Sequence, residues 1–158
     1  MNLFFIKKFE YLTDESLEDI RERVQSLISR KWYDLSENIT GRRGDNGTYV
    51  LTAKWTLMYT YWIELSPAYL GLKLETIETK TRIKASLRPN SVLVFSFYLI
   101  AVVFLFELFG GTSLEGSKIF ILTFLPFFDL ILFLLMKMYT YNLKNRFERL
   151  MHLELRPT

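Results

Sequence analysis

One acidic side chain lies within a long apolar stretch in the C-terminal part of the sequence. Residues 121–137 read ILTFLPFFDLILFLLMK, and Asp129 is the acid among them. An ionisable group deep in a membrane span costs about 2.5–3.5 kcal/mol on insertion scales, so it usually has a partner or a task. A carboxylate in that position can bind a proton, or it can accept hydrogen bonds from its own chain or from another membrane subunit.

A partner within the chain is suggested by the spacing of two apolar stretches. If they form an antiparallel helical hairpin that pairs Phe109 with Ile119, the residue facing Asp129 lies near position 99. Tyr98 is then the closest polar side chain, and we expect an intramembrane polar pair of Asp129 and Tyr98. Contact with another membrane subunit and proton coupling stay open as alternatives.

The sequence offers no pattern for other catalytic chemistry. It contains no cysteine and a single histidine, His152, which lacks the Cys or His neighbours that a metal site or a nucleophile relay needs. The seven glycines do not form a phosphate-binding loop. We therefore expect no catalytic residue, no metal and no cofactor, and a protein that is not an enzyme.

Composition separates the chain into a charged part and an apolar part. Hydrophobic residues make up 50% of the 158 residues, and most charged residues lie within residues 1–90. The net charge is +3, and no basic run is interleaved with aromatic residues. A nucleic acid partner is therefore not expected.

Two stretches are long and apolar enough to cross a bilayer, residues 91–109 and 119–136. Basic residues cluster at the open end of this hairpin: Lys80, Arg82, Lys84 and Arg88 precede it, and Lys137, Lys144, Arg146 and Arg149 follow it. The turn between the stretches offers only Lys118. By the positive-inside rule, the sequence predicts a multi-pass membrane protein with both termini in the cytoplasm.

Five of these basic residues are placed to face lipid headgroups. Arg82, Lys84 and Arg88 alternate along one face of the last strand before the membrane, and Lys137 and Lys144 follow the second span. Anionic headgroups attract such residues by about 1 kcal/mol each. We name these five as headgroup-facing, although the positive-inside rule alone accounts for them equally well.

Residues 1–90 predict a cytoplasmic α+β domain, a small antiparallel sheet with one packed helix. Residues 3–12 are aromatic and β-prone, and Thr13 can cap a helix that follows. The helix is predicted by apolar residues at helical spacing, namely Leu17, Ile20, Val24, Leu27 and Ile28.

The remaining strands are predicted from turn signals and alternation. Asn46-Gly47 indicates a two-residue hairpin turn, and the odd positions from Tyr49 to Leu65 are all apolar. A further hairpin is predicted to turn at Thr79-Lys80. Pro89 ends the last strand, and Asn90 can cap the first membrane helix.

A single helix is short for so long an aromatic sheet face. The sheet is expected either to form an ordinary core under that helix or to dock its surplus face on a partner subunit or on the membrane surface. Residues 137–158 are predicted to form a basic amphipathic cytoplasmic tail helix.

Residues 71–106 resemble a loose group of uncharacterised small bacterial membrane proteins. In that group a β-rich soluble segment ends in a T-R-I-x-x-x-x-R-P pattern and enters a two-helix transmembrane hairpin. The matching residues here are Thr81, Arg82, Ile83, Arg88 and Pro89. The resemblance implies the same architecture and a bacterial origin, and it implies no activity.

Together these features predict a non-enzymatic integral membrane accessory or interaction protein. Its cytoplasmic domain would recruit or regulate, and its hairpin would anchor it to a membrane complex. The expected partners are the lipid bilayer and either a membrane protein or a second copy of the chain. Two alternatives stay open: a subunit of an ion- or proton-translocating assembly that uses Asp129, and a domain that binds lipid at the membrane surface.

Overall fold

The computed structural model describes residues 5–29, 38–44, 47–53, 66–77, 79–110 and 115–153, with backbone alone for residues 115–120. Within these ranges the chain forms five strands and three helices: β1 (Lys7–Thr13), α1 (Leu17–Ser29), β2 (Ile39–Arg43), β3 (Thr48–Ala53), β4 (Ala68–Ile77), β5 (Lys80–Pro89), α2 (Ser91–Phe109) and α3 (Glu115–Leu150). An antiparallel sheet followed by two long apolar helices confirms the predicted α+β fold class.

The described strands form one antiparallel sheet in the order β1-β5-β4-β3-β2. β4 and β5 make a long hairpin near its centre, and β1 pairs with the other side of β5, with Lys7 opposite Leu87. The first strand of the described chain therefore lies beside the strand that leads into α2. It is also an edge strand, and its charged residues Lys7, Lys8 and Glu10 discourage pairing with another sheet.

Both hairpin turns differ by one residue from their sequence prediction. The Gly44 N–H donates to the Thr48 carbonyl at 2.8 Å, which leaves three residues in the β2–β3 turn rather than two. Gly47 has a φ of 71°, the left-handed conformation in which such three-residue turns end. Lys80 pairs with Ile77 and so belongs to β5 rather than to the second turn. Of the predicted strand 49–65, residues 54–65 lie outside the described ranges.

α1 covers one face of the sheet through its apolar stripe. The predicted residues Ile20, Val24 and Leu27 are 2%, 0% and 2% exposed. The prediction of Thr13 as the cap is wrong: Ser16 Oγ accepts a hydrogen bond of 3.1 Å from the Asp19 N–H and caps the helix. Thr13 is still paired in β1, and its hydroxyl accepts from the Glu15 N–H at 3.2 Å.

The sheet passes into α2 without a linker. Asn90 is 3% exposed, and its Oδ1 accepts a hydrogen bond of 2.8 Å from the Val92 N–H, as the sequence predicts for a helix cap. Its Nδ2 donates to the Ser66 carbonyl at 2.9 Å, and its backbone N–H donates to the Pro67 carbonyl at 2.9 Å. Because one buried side chain holds both the helix end and the β3–β4 connection, the direction of α2 is fixed relative to the sheet.

α3 is one continuous helix of 36 residues, about 54 Å long. It crosses the boundary at residues 136 and 137 between the predicted second span and the predicted tail helix without a break. Its C-terminal turns enter the sheet core, where Leu143, Phe147 and Met151 are 1%, 1% and 3% exposed. Among the described residues, α3 therefore covers a part of the same sheet face beside α1.

The C-terminal end of α3 is closed by a left-handed residue that is not glycine. The Leu153 N–H donates to the Glu148 carbonyl at 3.0 Å, and the His152 N–H donates to the Arg149 carbonyl at 3.3 Å. This pair of bonds defines a Schellman motif, which places His152 at the position with positive φ, here 51°. Leu153 packs against the core, whereas the His152 side chain is exposed.

The apolar parts of α2 and α3 are largely exposed. Only 11% of the membrane-length apolar segment of α2 is buried, and only 6% of that of α3. The core helix of a soluble protein is mostly buried. The exposed side chains include Phe95, Phe106, Phe127, Phe128 and Leu130, each more than half exposed. The structure thus has two helices, over the described residues, that are long and apolar enough to span a membrane.

Candidate functional site

Asp129 lies on the inner face of α3. Met136 and Leu143 follow it at intervals of seven residues, and Phe147 comes four residues later, so all four side chains share one helix face. Met136, Leu143 and Phe147 are each 1% exposed. The face that enters the sheet core at one end of α3 is therefore the face that carries Asp129 between the two apolar helices.

The depth of Asp129 follows from a ring contact between the two helices. Phe97 of α2 and Phe133 of α3 pack with their ring centroids 6.4 Å apart. One turn back along α3 is Asp129, and one turn forward along the antiparallel α2 is Ala101. Asp129 therefore lies at the level of Ala101, slightly farther from the sheet than position 99, which the sequence suggested.

Asp129 and Tyr98 lie in the same hairpin, but no hydrogen bond joins them in the described part of the chain. Asp129 Oδ1 is buried and has no hydrogen-bond partner there. The Tyr98 ring packs on Phe5 and Phe97, with centroid distances of 6.2 and 5.5 Å. The carboxylate thus lies at the level of Ala101 with one buried oxygen that no described residue pairs with.

A cleft of about 580 Å³ opens between the edge strand β1 and α3. Lys7, Phe9 and Leu87 line its sheet side, and residues at helical spacing line its other side: Leu134, Lys137, Met138, Thr140, Tyr141 and Lys144. A smaller cavity of about 230 Å³ adjoins it and shares Lys7, Lys137 and Thr140. The cleft lies where the apolar part of α3 ends and its basic part begins.

Two lysines in this cleft carry charge that no acid in the described chain neutralises. Lys7 and Lys137 are exposed, and neither forms an ion pair with a described residue. Lys144 differs, since its Nζ lies 2.9 Å from Glu148 Oε1 and its side chain is 15% exposed. The Lys144 ammonium also lies 5.0 Å from the centroid of the Phe9 ring. The cleft therefore has two available cations and a third that is held in place.

Glu148 connects this lysine to the sheet. The Tyr11 hydroxyl donates a hydrogen bond of 2.7 Å to Glu148 Oε1, and Lys144 donates to Oε2 at 3.1 Å. Burial, together with the hydrogen bond to the carboxylate, raises the pKa of Tyr11 above its usual range. The network Phe9–Lys144–Glu148–Tyr11 thus fixes the end of α3 against β1.

Arg82, Lys84 and Arg88 lie on the opposite face of the sheet from the cleft, because the odd residues of β5 face the core. Lys84 Nζ lies 2.8 Å from Glu75 Oε2, and Lys73 Nζ lies 3.0 Å from Glu75 Oε1. Hydrogen bonds from Lys84 and then Lys73 lower the pKa of Glu75 to about 2. Arg88 lies over the Tyr69 ring, 5.7 Å from its centroid.

The sheet register gives the distance of these residues from the apolar helices. Lys7 lies opposite Leu87, whereas Lys84 and Arg82 lie opposite Glu10 and Leu12. At about 3.3 Å per residue, Lys84 and Arg82 lie roughly 10 and 17 Å farther along the strand from α2 than Leu87 does. Of the five basic residues singled out from the sequence, Lys137 and Lys144 line the cleft, Arg88 lies near the start of α2, and the other two lie farther away.

Sequence reasoning did not single out Lys7, Tyr11 and Glu148. The alternation in β1 was a sequence signal for Lys7 and Tyr11, because Lys7, Phe9 and Tyr11 fall on one face of the strand. In the structure this face is directed to the core, and Tyr11 is 4% exposed. Their contact with α3 joins residues 137 positions apart, which no local pattern can show.

Comparison of the chain with models of protein families, with curated proteins and with solved structures gave no match. Among the described residues, no group of three or more His, Cys, Asp or Glu side chains is placed to hold a metal ion. The Asp129 carboxylate in the hairpin and the basic cleft beside β1 are polar features next to the apolar surface of α2 and α3.

Proposed function

We propose that the chain is a non-enzymatic accessory protein of a bacterial inner membrane. In this proposal α2 and α3 cross the bilayer as a hairpin, and both ends of the chain lie in the cytoplasm together with the sheet. The hairpin anchors the protein and binds another membrane protein or a second copy of the chain. The sheet domain recruits or regulates at the cytoplasmic surface.

The observation that carries the proposal is the continuity of α3 from the apolar hairpin into the sheet core. A domain that only needs tethering can hang from a flexible linker. Here Leu143 and Phe147 belong to the same helix as the apolar segment and are both 1% exposed in the core. Asn90 fixes α2 to the sheet as well. A change in the tilt of the hairpin is therefore transmitted to the sheet, as regulation by a membrane partner requires.

Asp129 supports a contact between the hairpin and a partner. A buried polar atom without a hydrogen bond costs about 1–3 kcal/mol, and more when the group is charged. Asp129 Oδ1 has no partner among the described residues of its own chain. A donor on a neighbouring membrane helix would remove this cost, which gives the hairpin a specific reason to associate.

The mass of the full-length protein, extracted from its native membranes in mild detergent, tests this proposal. We expect a complex of defined mass that Asp129→Leu reduces to the monomer, whereas Asp129→Asn keeps part of it because an amide still forms hydrogen bonds. Phe128→Leu, an apolar exchange at the neighbouring exposed position, serves as the control and leaves the complex intact. A wild-type protein that is monomeric, or a complex that survives Asp129→Leu, would contradict the proposed contact.

The orientation is tested by labelling, since the chain contains no cysteine. A membrane-impermeant thiol reagent applied to cells should label Ser113→Cys, whose position in the sequence is between the two spans, and should not label Ser26→Cys on the exposed side of α1. After lysis both should react. Labelling of the cysteine at position 26 in intact cells would reverse the proposed orientation.

A second candidate is a subunit of an ion- or proton-translocating assembly. The same observation favours it, because a carboxylate without a fixed donor is free to bind and release a proton. Asp129→Asn separates the two candidates: it would abolish proton-driven activity of the assembly while the complex stays intact. In an accessory protein, Asp129→Asn would instead leave the activity of the assembly in proportion to the part of the complex that it keeps.

A further inference from the structure

The cleft between β1 and α3 has the two-part character of a lipid site. The part of its lining that lies nearer the apolar segment of α3 is apolar. It continues into the exposed surface of α3, where Leu134 and Met138 are 54% and 46% exposed. The cleft is also lined by Lys7 and Lys137, which are exposed and form no ion pair with a described residue. Its volume of about 580 Å³ lies within the range of about 300–1,000 Å³ that is typical of small-ligand sites.

The cleft also lies at the right depth. Lys137 is the first charged residue after the apolar run of α3, so in the proposed topology it lies at the headgroup level of the cytoplasmic leaflet. Tyr141, one turn farther along, is 62% exposed and suits the same interface. Lys7 reaches this level because β1 approaches α3 from the sheet, and the two lysines line both the cleft and the adjoining cavity.

We propose that this cleft binds one anionic phospholipid of the cytoplasmic leaflet, with the phosphate between Lys7 and Lys137 and an acyl chain along Leu134 and Met138. Charge complementarity identifies the occupant, since no acid of the described ranges pairs with either lysine and the adjoining surface is apolar. The charge of Lys144 is balanced by its ion pair with Glu148, so it attracts an anion less strongly. Its ammonium group lies over the Phe9 ring and helps to position this ring in the cleft lining. The site rests on the proposed membrane placement and on no partner protein.

Native mass spectrometry of the full-length protein in mild detergent tests the proposal, with phosphatidylglycerol and phosphatidylcholine of identical chains as probes. We expect one tightly retained phosphatidylglycerol and weak retention of phosphatidylcholine. Lys7→Gln with Lys137→Gln should raise the Kd for phosphatidylglycerol about thirtyfold, the size expected for the loss of two interfacial lysines. The double change to arginine should keep it near the wild-type value.

The matched control is Lys8→Gln with Lys80→Gln, which removes the same charge. Lys8 is on the other face of β1, and Lys80 is at the end of β5 remote from α2 and paired with Asp14. An unchanged Kd in the cleft variant, equal losses in the control, or equal binding of the two lipids would overturn the site. Glycerol 3-phosphate at millimolar concentration should not displace the lipid; if it does, the cleft is a phosphate site and not a lipid site.

A measurement on the unaltered protein avoids any dependence on folding of the variants. Phosphatidylglycerol with a photoreactive group near its headgroup, incorporated into proteoliposomes, should modify peptides containing Lys7–Phe9 and Leu134–Lys144. Modification spread evenly over the exposed helices, or cleft peptides that stay unmodified, would refute the proposal. Since lipid retention and complex mass are separate readouts, loss of one without the other distinguishes failure of this site from failure of the proposed partner contact.

Discussion

The Tyr11 hydroxyl donates a 2.7 Å hydrogen bond to Glu148 Oε1 and so joins the edge strand of the sheet to the last turn of the longest helix. This contact, together with the Lys144–Glu148 ion pair, sets where α3 meets β1. Lys144, which pairs with Glu148, and Phe9 both line the neighbouring cleft. The energetic role of the contact can be measured directly.

Tyr11→Phe should destabilise the sheet domain by about 1.5–3 kcal/mol, because it removes a hydrogen bond to a charged group and leaves the ring in place. Chemical unfolding of the full-length protein in detergent measures the change. Tyr49→Phe is the matched control: Tyr49 is 2% exposed in the same core and lies three strands from β1. Equal effects of the two substitutions would show that the Glu148 contact contributes nothing specific.

The same pair predicts a pH dependence. The pKa of Tyr11 is raised in the folded protein above its ordinary value of 10.0, so its contribution to stability is complete below pH 10 and is lost as the pH rises further. The difference in unfolding free energy between wild type and Tyr11→Phe should therefore be constant from pH 7 to 9.5 and shrink above pH 10. A difference that grew with pH would contradict the assignment.

Phe147→Ala should cost about 3–5 kcal/mol, because it opens a cavity where α3 enters the sheet core. The Phe147 side chain is 1% exposed and packs on the Tyr11 ring with a centroid distance of 6.3 Å. Phe128→Ala changes the same residue type on the same helix at a position that is 53% exposed, and it should leave unfolding of the sheet domain unchanged. If Phe147→Ala also left the unfolding free energy of the sheet domain unchanged, the end of α3 would not belong to the core.

His152→Gly should stabilise the protein by about 1 kcal/mol, because a residue with a Cβ is strained at a φ of 51° and glycine is not. His152→Ala removes the exposed imidazole while it keeps the strain, and it should bring no gain. The thermal midpoints of the two variants test this. A gain in the alanine variant would assign the effect to the imidazole rather than to the backbone.

Lys84→Ala should raise the pKa of Glu75 from about 2 towards its ordinary value of 4.5, since it removes the largest cause of the shift and leaves Lys73 in place. Carbon-13 NMR of the Glu75 carboxyl group follows the titration. Because the folded pKa is lowered, the contribution of this cluster to stability is complete above about pH 4.5 and is lost as the pH falls towards 2. Lys80→Ala, which removes a lysine paired with Asp14, should leave the titration of Glu75 unchanged.

Asp129→Leu should stabilise the isolated monomer in detergent by about 2–3 kcal/mol, because it replaces a buried carboxylate oxygen without a donor by an apolar group. Tyr98→Phe should have no effect if the two side chains form no pair. Destabilisation by both substitutions would instead support the hydrogen bond between Asp129 and Tyr98 that the sequence suggested.

The sequence predicted elements whose signals are local. α2 matches the predicted span 91–109 at both ends, because a continuous apolar run and the cap at Asn90 mark it. The apolar stripe of α1 was predicted correctly as well, and the β4–β5 hairpin was predicted to within one residue at its turn. The cap at Ser16 was missed because Thr13 offered the same hydroxyl three residues earlier, and only the pairing of Thr13 in β1 decides between them.

The candidate site was less predictable because long-range packing builds it. The apolar edge of Leu143, Phe147 and Met151 was visible in the sequence, but nothing in it showed that the edge lies on the sheet rather than on a membrane surface or a partner. Lys7 likewise has no distinctive local pattern. Its place in the cleft depends on the position of β1 opposite α3, which the sequence does not show. The basic residues of β5 looked suited to headgroups by composition, whereas register places Arg82 and Lys84 far along the strand.

The entry of α3 into the sheet core has a consequence for biosynthesis. Leu143, Phe147 and Met151 complete a hydrophobic core whose other buried members come from the first ninety residues, and α2 and the apolar part of α3 lie between these two groups in the chain. In the proposed topology the sheet cannot finish folding until the hairpin has been inserted, although N-terminal segments usually fold first during synthesis. A nascent chain whose second span fails to insert would present an incomplete core to chaperones and proteases. Survival of the protein therefore depends on correct insertion of the hairpin.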